Sequence, residues 1–420
     1  MILTREEEQM LNGAFGPGVA KAMDMIVKWG EVYDAEKLVE VTSTHTLLGE
    51  PVEWLRDISE GAKVRTLSTL HVVNFDYGRW EKQGIQQSEA ERQMEYTRQC
   101  MTHYESLGLI KGFSCGPYLI GNVPRQGDYV NWSGSSGVLL ANSLFGARCP
   151  RVGASGSLAS AITGRAPLVP ELVTANRRGQ ILVEADGFDL NSLSKEDIGI
   201  FGWYVGGVAG EKICVFSGFD RRLSLEEVKF LASPLGVSGS AIMFHIVGLT
   251  PEAPTLQAAF QNQKPESTIR VGRSEMGMAW ASLNTTGASE PDLVTLGCPH
   301  LSITELREVA RHLEGRRILD SKRLWVSCGF EMYNLAQRMG YIEVIERAGG
   351  TVLTGCCAGP LTPWDKLLDP VAVVATNSTR AAGYINMVSA GKVKVRYGSV
   401  EACVNSVVTG RWEGRERWAS

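Results

Sequence analysis

The sequence predicts an α/β protein with parallel sheets, built in several lobes around one ligand-binding edge. Three observations carry that expectation. Over the last third of the chain, short apolar runs alternate with helix-length amphipathic segments, the rhythm of a parallel sheet with right-handed crossovers. Residues 112–165 are crowded with Gly, Ser, Asn and Pro yet carry few charges, which suits backbone lining a cavity better than an exposed loop. Residues 171–290 hold apolar strands but no chemistry motif and read as an inserted α/β lobe. On this reading 1–170 and 291–420 form the α/β core that binds the ligand.

The elements follow in order. Thr4 with Glu7 makes a capping box for a first helix. Val19, Ala22, Met23, Ile26 and Val27 give a helical stripe over 16–30. A polar amphipathic helix covers 87–107. In the inserted lobe, 213–216 and 242–246 read as strands, with His245 a satisfied core histidine. Then come a strand at 292–296, a turn Gly297-Cys298-Pro299-His300, and a helix capped by Ser302 and Glu305 whose apolar stripe is Leu306, Val309, Ala310 and Leu313. A strand at 323–327 leads to a helix over 330–347, ended by Gly349-Gly350. Strands at 351–354 and 371–375 follow, the last running into Asn377-Ser378-Thr379-Arg380.

Composition bounds the function. With 44% apolar and 21% charged residues in 420, the chain has ample material for a core. A formal net charge of -4 without a basic stripe argues against a nucleic-acid partner. No apolar run approaches the roughly 20 residues that span a bilayer, so no membrane association is expected. The acidic start, Met1 to Glu8, lacks the features of a signal peptide. The expected location is the cytoplasm.

The nine cysteines are odd in number and scattered, which argues against a disulfide framework. Their placement is more informative. Ligands of open α/β sheets bind beyond the carboxyl ends of the strands. Cys298, Cys328, the pair Cys356-Cys357 and Arg380 follow four successive predicted strands, and Cys115 is flanked by Gly116-Pro117. Taken singly, each thiol reads as a small apolar residue. Three or four converging at one sheet edge could hold an iron–sulfur cluster. There is no C-x-x-C spacing, no G-x-G-x-x-G, no Walker A sequence and no G-x-S-x-G elbow.

With these residues in view, the chain resembles the large subunit of the aconitase X family over about residues 2–410. The resemblance rests on Leu3-Thr4 through Met10-Leu11-Asn12-Gly13, Ala35-Glu36-Lys37-Leu38 and His45. Its most specific parts are 115–122 (Cys-Gly-Pro-Tyr-Leu-Ile-Gly-Asn) and Ala141-Asn142-Ser143 through Gly146-Ala147-Arg148. Gly297-Cys298-Pro299-His300-Leu301-Ser302 and Thr376-Asn377-Ser378 complete it.

The resemblance implies an aconitase-like multi-lobed α/β/α fold lacking the swivelling domain, and a hydro-lyase that dehydrates a small hydroxy acid. It implies metal ligands at Cys115, Cys298 and Cys357, with Cys356 as the alternative third. Cys328 has no counterpart and returns to the core. The cofactor would be a 2Fe–2S or 4Fe–4S cluster or a mononuclear iron. Implied substrate contacts are His45, Thr69, His71, Asn142, Ser143, Arg148, His300, Asn377, Ser378 and Arg380. The catalytic base, a serine, is expected on a small swivelling-domain subunit, so the working unit would be a heterodimer. No base is assigned in this chain.

Archaeal members of the family act on phosphomevalonate and bacterial ones on cis-3-hydroxy-L-proline. This chain departs from the archaeal pattern in a shorter loop at Thr46-Leu47-Leu48-Gly49, in Thr69-Leu70-His71-Val72, and in an arginine rather than a lysine at 380. These departures favour a small zwitterionic imino acid, its carboxylate paired with Arg380. Dehydration of phosphomevalonate or another hydroxy acid is the alternative, and a non-catalytic iron–sulfur binding protein is the alternative of another class.

Overall fold

The computed structural model describes residues 1–414 and 418. Thr4 caps the helix Arg5–Leu11 through a capping box with Glu7. Pro17, whose missing N–H is no loss at a first helical position, opens Pro17–Val32, which buries Val19, Ala22, Met23 and Ile26. The polar helix runs Gln87–Leu107 and ends on Gly108 in the left-handed region.

Three parallel sheets follow one another along the chain. The first contains β1 (Ser43–Thr46), β2 (Leu67–Leu70) and β3 (Val130–Trp132) in the order β2-β1-β3. The second contains β4 (Ile181–Ala185), β5 (Cys214–Phe216), β6 (Phe244–Ile246) and β7 (Ser267–Val271) in the order β6-β5-β4-β7. The third contains β8 (Leu293–Leu296), β9 (Arg323–Cys328), β10 (Thr351–Thr354), β11 (Val373–Thr376) and β12 (Lys394–Tyr397) in the order β10-β9-β8-β11-β12. An antiparallel ribbon, Leu38–Glu40 with Arg165–Pro167, is separate from these. Among the described residues no helix is long and apolar enough to cross a membrane.

Two details depart from the sequence reading. The helix expected over 330–347 is two helices, Phe330–Arg338 and Tyr341–Arg347. Gly340 adopts φ 78° between them, a conformation that costs glycine little and breaks the helical path. Cys328 is the last residue of β9 rather than the first beyond it, and it is buried in the core of the third sheet.

The first and third sheets are stitched together just past their carboxyl ends. Val73 N–H donates to Gly355 O (3.1 Å) and Cys357 N–H donates to Val73 O (2.9 Å). Beside this bridge, Asp76 accepts from the amide (2.8 Å) and the hydroxyl (3.0 Å) of Thr354. The segment leaving β2 therefore fixes the segment leaving β10. Through that pairing the topology brings residues far apart in sequence to one edge.

Candidate active site

Cys298 lies in the turn directly after β8. Gly297 makes the turn possible: its φ is +106°, and a Cβ there would stand 2.3 Å from Ser327 O. That carbonyl also accepts Leu301 N–H (3.1 Å), closing the turn. Ser378, which caps the helix Thr379–Val388, donates its hydroxyl to Cys298 O.

His300 ties the three cysteine segments to one another. Its N–H donates to Cys115 Sγ (3.1 Å) and its Nε2 lies 2.8 Å from Cys356 O. A carbonyl only accepts, so Nε2 carries the proton. Cys357 is held by its backbone bond to Val73, and its Sγ accepts Leu361 N–H (3.5 Å). Cys356, its neighbour, is fully buried in the core, where its surroundings include Asp76 and Cys328. Cys357 is thus the member of the pair that faces Cys115 and Cys298.

Burial disfavours the thiolate and pushes all three thiols up, Cys357 to about 11. Cys357 and Cys115 each raise Cys298, and Cys115 raises Cys357, so the three feel one another's charge. Arg380 is the shared cationic neighbour that pulls all three back down.

The other wall of the site comes from the first sheet. Arg380 donates through Nη1 to Ser135 Oγ (2.6 Å), and its guanidinium lies 5.1 Å from the Tyr384 ring centroid. Ser135 opens the helix Ser135–Ser143, whose N-cap Gly134 (φ 97°) supplies no side-chain cap. An uncapped helix N-terminus presents amides suited to an anion. A Cβ on Gly134 would stand in ordinary contact, 3.4 Å, with His71 Nε2, and the φ of +97° is what a side chain there would strain. The His71 and His45 rings are 5.3 Å apart, and His45 Nδ1 lies 2.9 Å from Thr69 Oγ1. Burial holds His45 down at about 3 and His300 at about 4, and drives His71 well below its ordinary value. All three are neutral at pH 7.

Of the sequence-predicted contacts, His71, His300, Ser378 and Arg380 converge with the cysteines. His45 and Thr69 stand behind His71. Asn377 lines, with Cys298 and Ser378, a cavity of about 10 Å³, room for about one water. Asn142, Ser143 and Arg148 are not brought to this edge. Asn142 donates to Cys149 O and Ile242 O and accepts from Cys149 N and Arg177. Ser143 accepts Phe244 N–H, and Arg148 donates to Leu172 O and Thr174. These contacts hold the segment 142–148 to residues 172–177 and 242–244, and they use all of the Asn142 amide's hydrogen-bonding capacity.

Two neighbours of the site were not singled out in the sequence. Ser135 lay in the small-residue stretch without being singled out. Lys229 lies on the helix Leu225–Ser238 within an unbroken buried run, 228–235. A lysine interrupting an apolar run was the available signal.

A metal fits this site by its chemistry, with three half-buried thiols and a wall bearing the Arg380 cation. Among the described residues no three His, Cys, Asp or Glu side chains are grouped to hold a single ion. An iron–sulfur cluster takes its Cys thiolates on more than one iron, so it does not require three side chains around a single ion.

The models for the first, second and third domains of aconitase X match residues 1–173, 179–281 and 291–409. The chain belongs to the aconitase X family. It is similar to the phosphomevalonate dehydratase large subunit of Methanothermobacter thermautotrophicus, 34% identical over 394 residues, covering 91% of this chain and 93% of that one. It is also similar to the cis-3-hydroxy-L-proline dehydratase of Hypocrea jecorina, 32% identical over 426 residues, covering 98% of this chain and 69% of that one. The crystal structure of Thermococcus kodakaraensis aconitase X in its holo-form superposes with a TM-score of 0.84 at 29% identity, covering 97% of this chain and 100% of that one. The aconitase-like α/β fold with parallel sheets is therefore as expected, and the chain is a carbon–oxygen lyase of the dehydratase type. Family membership implies a metal or iron–sulfur cofactor. The archaeal relatives' designation as large subunits implies a small subunit beside them.

Proposed function

We propose that this chain is the cluster-binding large subunit of a cis-3-hydroxy-L-proline dehydratase, working in the cytoplasm with a small subunit that brings the catalytic serine. The observation that carries this reading is the charge of the open wall: one arginine, two buried histidines and one uncapped helix N-terminus. Arg380 and the amides opening the helix Ser135–Ser143 match one carboxylate. Neutral His71 and His45 suit a hydroxyl or a ring nitrogen rather than a dianionic phosphate.

Cys115, Cys298 and Cys357 would hold an iron–sulfur cluster. When bound, such a group supplies Lewis acidity toward the departing hydroxyl. Arg380 orients the carboxylate and so fixes the adjacent carbon, whose proton the partner's serine removes. The hydroxyl leaves as water. The product is an enamine, which tautomerises to pyrroline-2-carboxylate. His300, held on both sides by cysteine segments, keeps Cys115 in register and does not itself move a proton in this scheme.

The 34% identity to an archaeal phosphomevalonate dehydratase subunit favours a second reading, in which the same residues serve that substrate. Turnover of both compounds by the anaerobically co-expressed pair of subunits separates the two. Activity on cis-3-hydroxy-L-proline alone supports the proposal. Activity on phosphomevalonate alone replaces it, and iron-loaded protein inert toward both removes both readings.

A further inference from the structure

Outside the residues already given a role, one charged pair is conspicuous for its burial. Lys229 and Glu305 form an ion pair in which the side chains are 3% and 4% exposed. Lys229 comes from the helix Leu225–Ser238 of the second lobe. Glu305 lies in the first turn of Ile303–Leu313, behind β8. Removing two charges from water costs more than a single contact returns unless every remaining polar atom is satisfied. That condition is not met, because Glu305 Oε1 has no hydrogen-bond partner among the described residues. As a stabiliser the pair is a poor arrangement.

Its other contacts point elsewhere. Lys229 Nζ also donates to His300 O (3.2 Å), while Glu305 Oε2 accepts Ser302 N–H (2.8 Å). The pair thus grips both ends of the short segment 300–302. The N–H of the same residue, His300, donates to Cys115 Sγ, and Cys298 lies two residues upstream. Lys229 also lines the small cavity that Cys298 and Ser378 border.

From this geometry we infer that Lys229 is a positioning residue for the metal site: the second lobe, through one lysine, holds the 298–302 turn so that Cys298 and the Cys115 contact keep ligand geometry. The inference rests on the assignment of Cys115 and Cys298 as ligands. Groups that orient metal ligands from behind contribute about 10–100-fold to retention of the metal. The lobe that carries none of the proposed ligands would thereby still control cofactor retention.

The test compares wild type, Lys229→Met and Lys229→Met/Glu305→Gln, each co-expressed anaerobically with the small subunit. Lys229→Met strands a buried carboxylate and could fail to fold. The double variant removes both charges, and the side-chain amide it places at position 305 can still accept Ser302 N–H. What is then missing is the ion pair itself, which touches no proposed ligand segment, and the grip on His300 O. Iron per chain, visible absorption, melting temperature and the rate of iron loss to a chelator are measured. The expected result is a double variant that melts close to wild type, shows an altered visible spectrum and loses iron at least 10-fold faster. Wild-type iron retention in a folded double variant would overturn the inference. So would loss of iron strictly in step with loss of folded protein, which would make the pair structural only. A wild-type complex that binds no iron would instead refute the ligand assignment beneath it.

Discussion

Gly297→Ala perturbs the site through the backbone alone. Two independent costs arise at that position. The native φ of +106° is outside the range an L-residue adopts comfortably, a strain of about 1–3 kcal/mol. The new methyl would also lie 2.3 Å from Ser327 O, so strand and turn must separate by about 1 Å to reach ordinary contact, a further 1–3 kcal/mol or so as in other overpacked interiors. Moving Ser327 O also strains the Leu301 bond that closes the turn. The expected loss is therefore about 2–6 kcal/mol, large for a single methyl. Urea unfolding of the metal-free protein, followed by far-UV circular dichroism, reads it directly, and iron content should fall in the same variant. Gly287→Ala is the control, since among the described residues nothing lies within 4 Å of its Cβ position, and it should shift stability by under about 0.5 kcal/mol. Equal stability of the two variants would refute the claim that Gly297 shapes the Cys298 turn.

Other perturbations separate the site from its scaffold. Arg380→Lys keeps the charge but loses the planar fork; KM should rise roughly 10-fold or more, a loss of about 1.4 kcal/mol or more of binding, with folding unchanged. Arg177→Met breaks a buried network with Glu252, Asn142 and Ala147, and should cost about 3–5 kcal/mol in urea unfolding. Iron per folded chain should stay intact. Glu196 supplies a pH signature: burial raises its pKa to about 7 from 4.5. The folded state then holds a proton that the unfolded state has released, so Glu196 makes stability fall as pH rises from about 4.5 to 7. Glu196→Gln removes that slope. The variant should match wild type near pH 4.5 and exceed it by about 1–3 kcal/mol at pH 8; identical pH profiles would refute the assignment.

Much of this was legible because local rules and tertiary packing agree. Capping boxes at Thr4 and Ser302 and the strand–helix rhythm of the last third appear in the structure as read. The arrival of Cys298, Cys357 and Arg380 at one edge follows from parallel strands alone. β12 was missed although 392–397 alternates basic and apolar residues in the manner of a strand. The break at Gly340 was missed because a single glycine is compatible with a continuing helix. Asn142, Ser143 and Arg148 were misplaced for a different reason. Polar residues in a small-residue stretch look alike in sequence whether they meet a substrate or another lobe, and only the partners Arg177 and Phe244 decide between the two. Lys229 was signalled only as a lysine interrupting an apolar run, and its contact to a peptide oxygen 71 residues away cannot be read from that.

The central claim is that Cys115, Cys298 and Cys357 act together as the metal ligands while Cys356 is a core residue. Iron and sulfide content, with the visible spectrum, of four single Cys→Ser variants purified anaerobically with the small subunit tests it most directly. The account predicts that Cys115→Ser, Cys298→Ser and Cys357→Ser each lose most of their iron and the absorption that goes with it, whereas Cys356→Ser keeps both. Retention of full iron by Cys357→Ser, with its loss from Cys356→Ser, would contradict it.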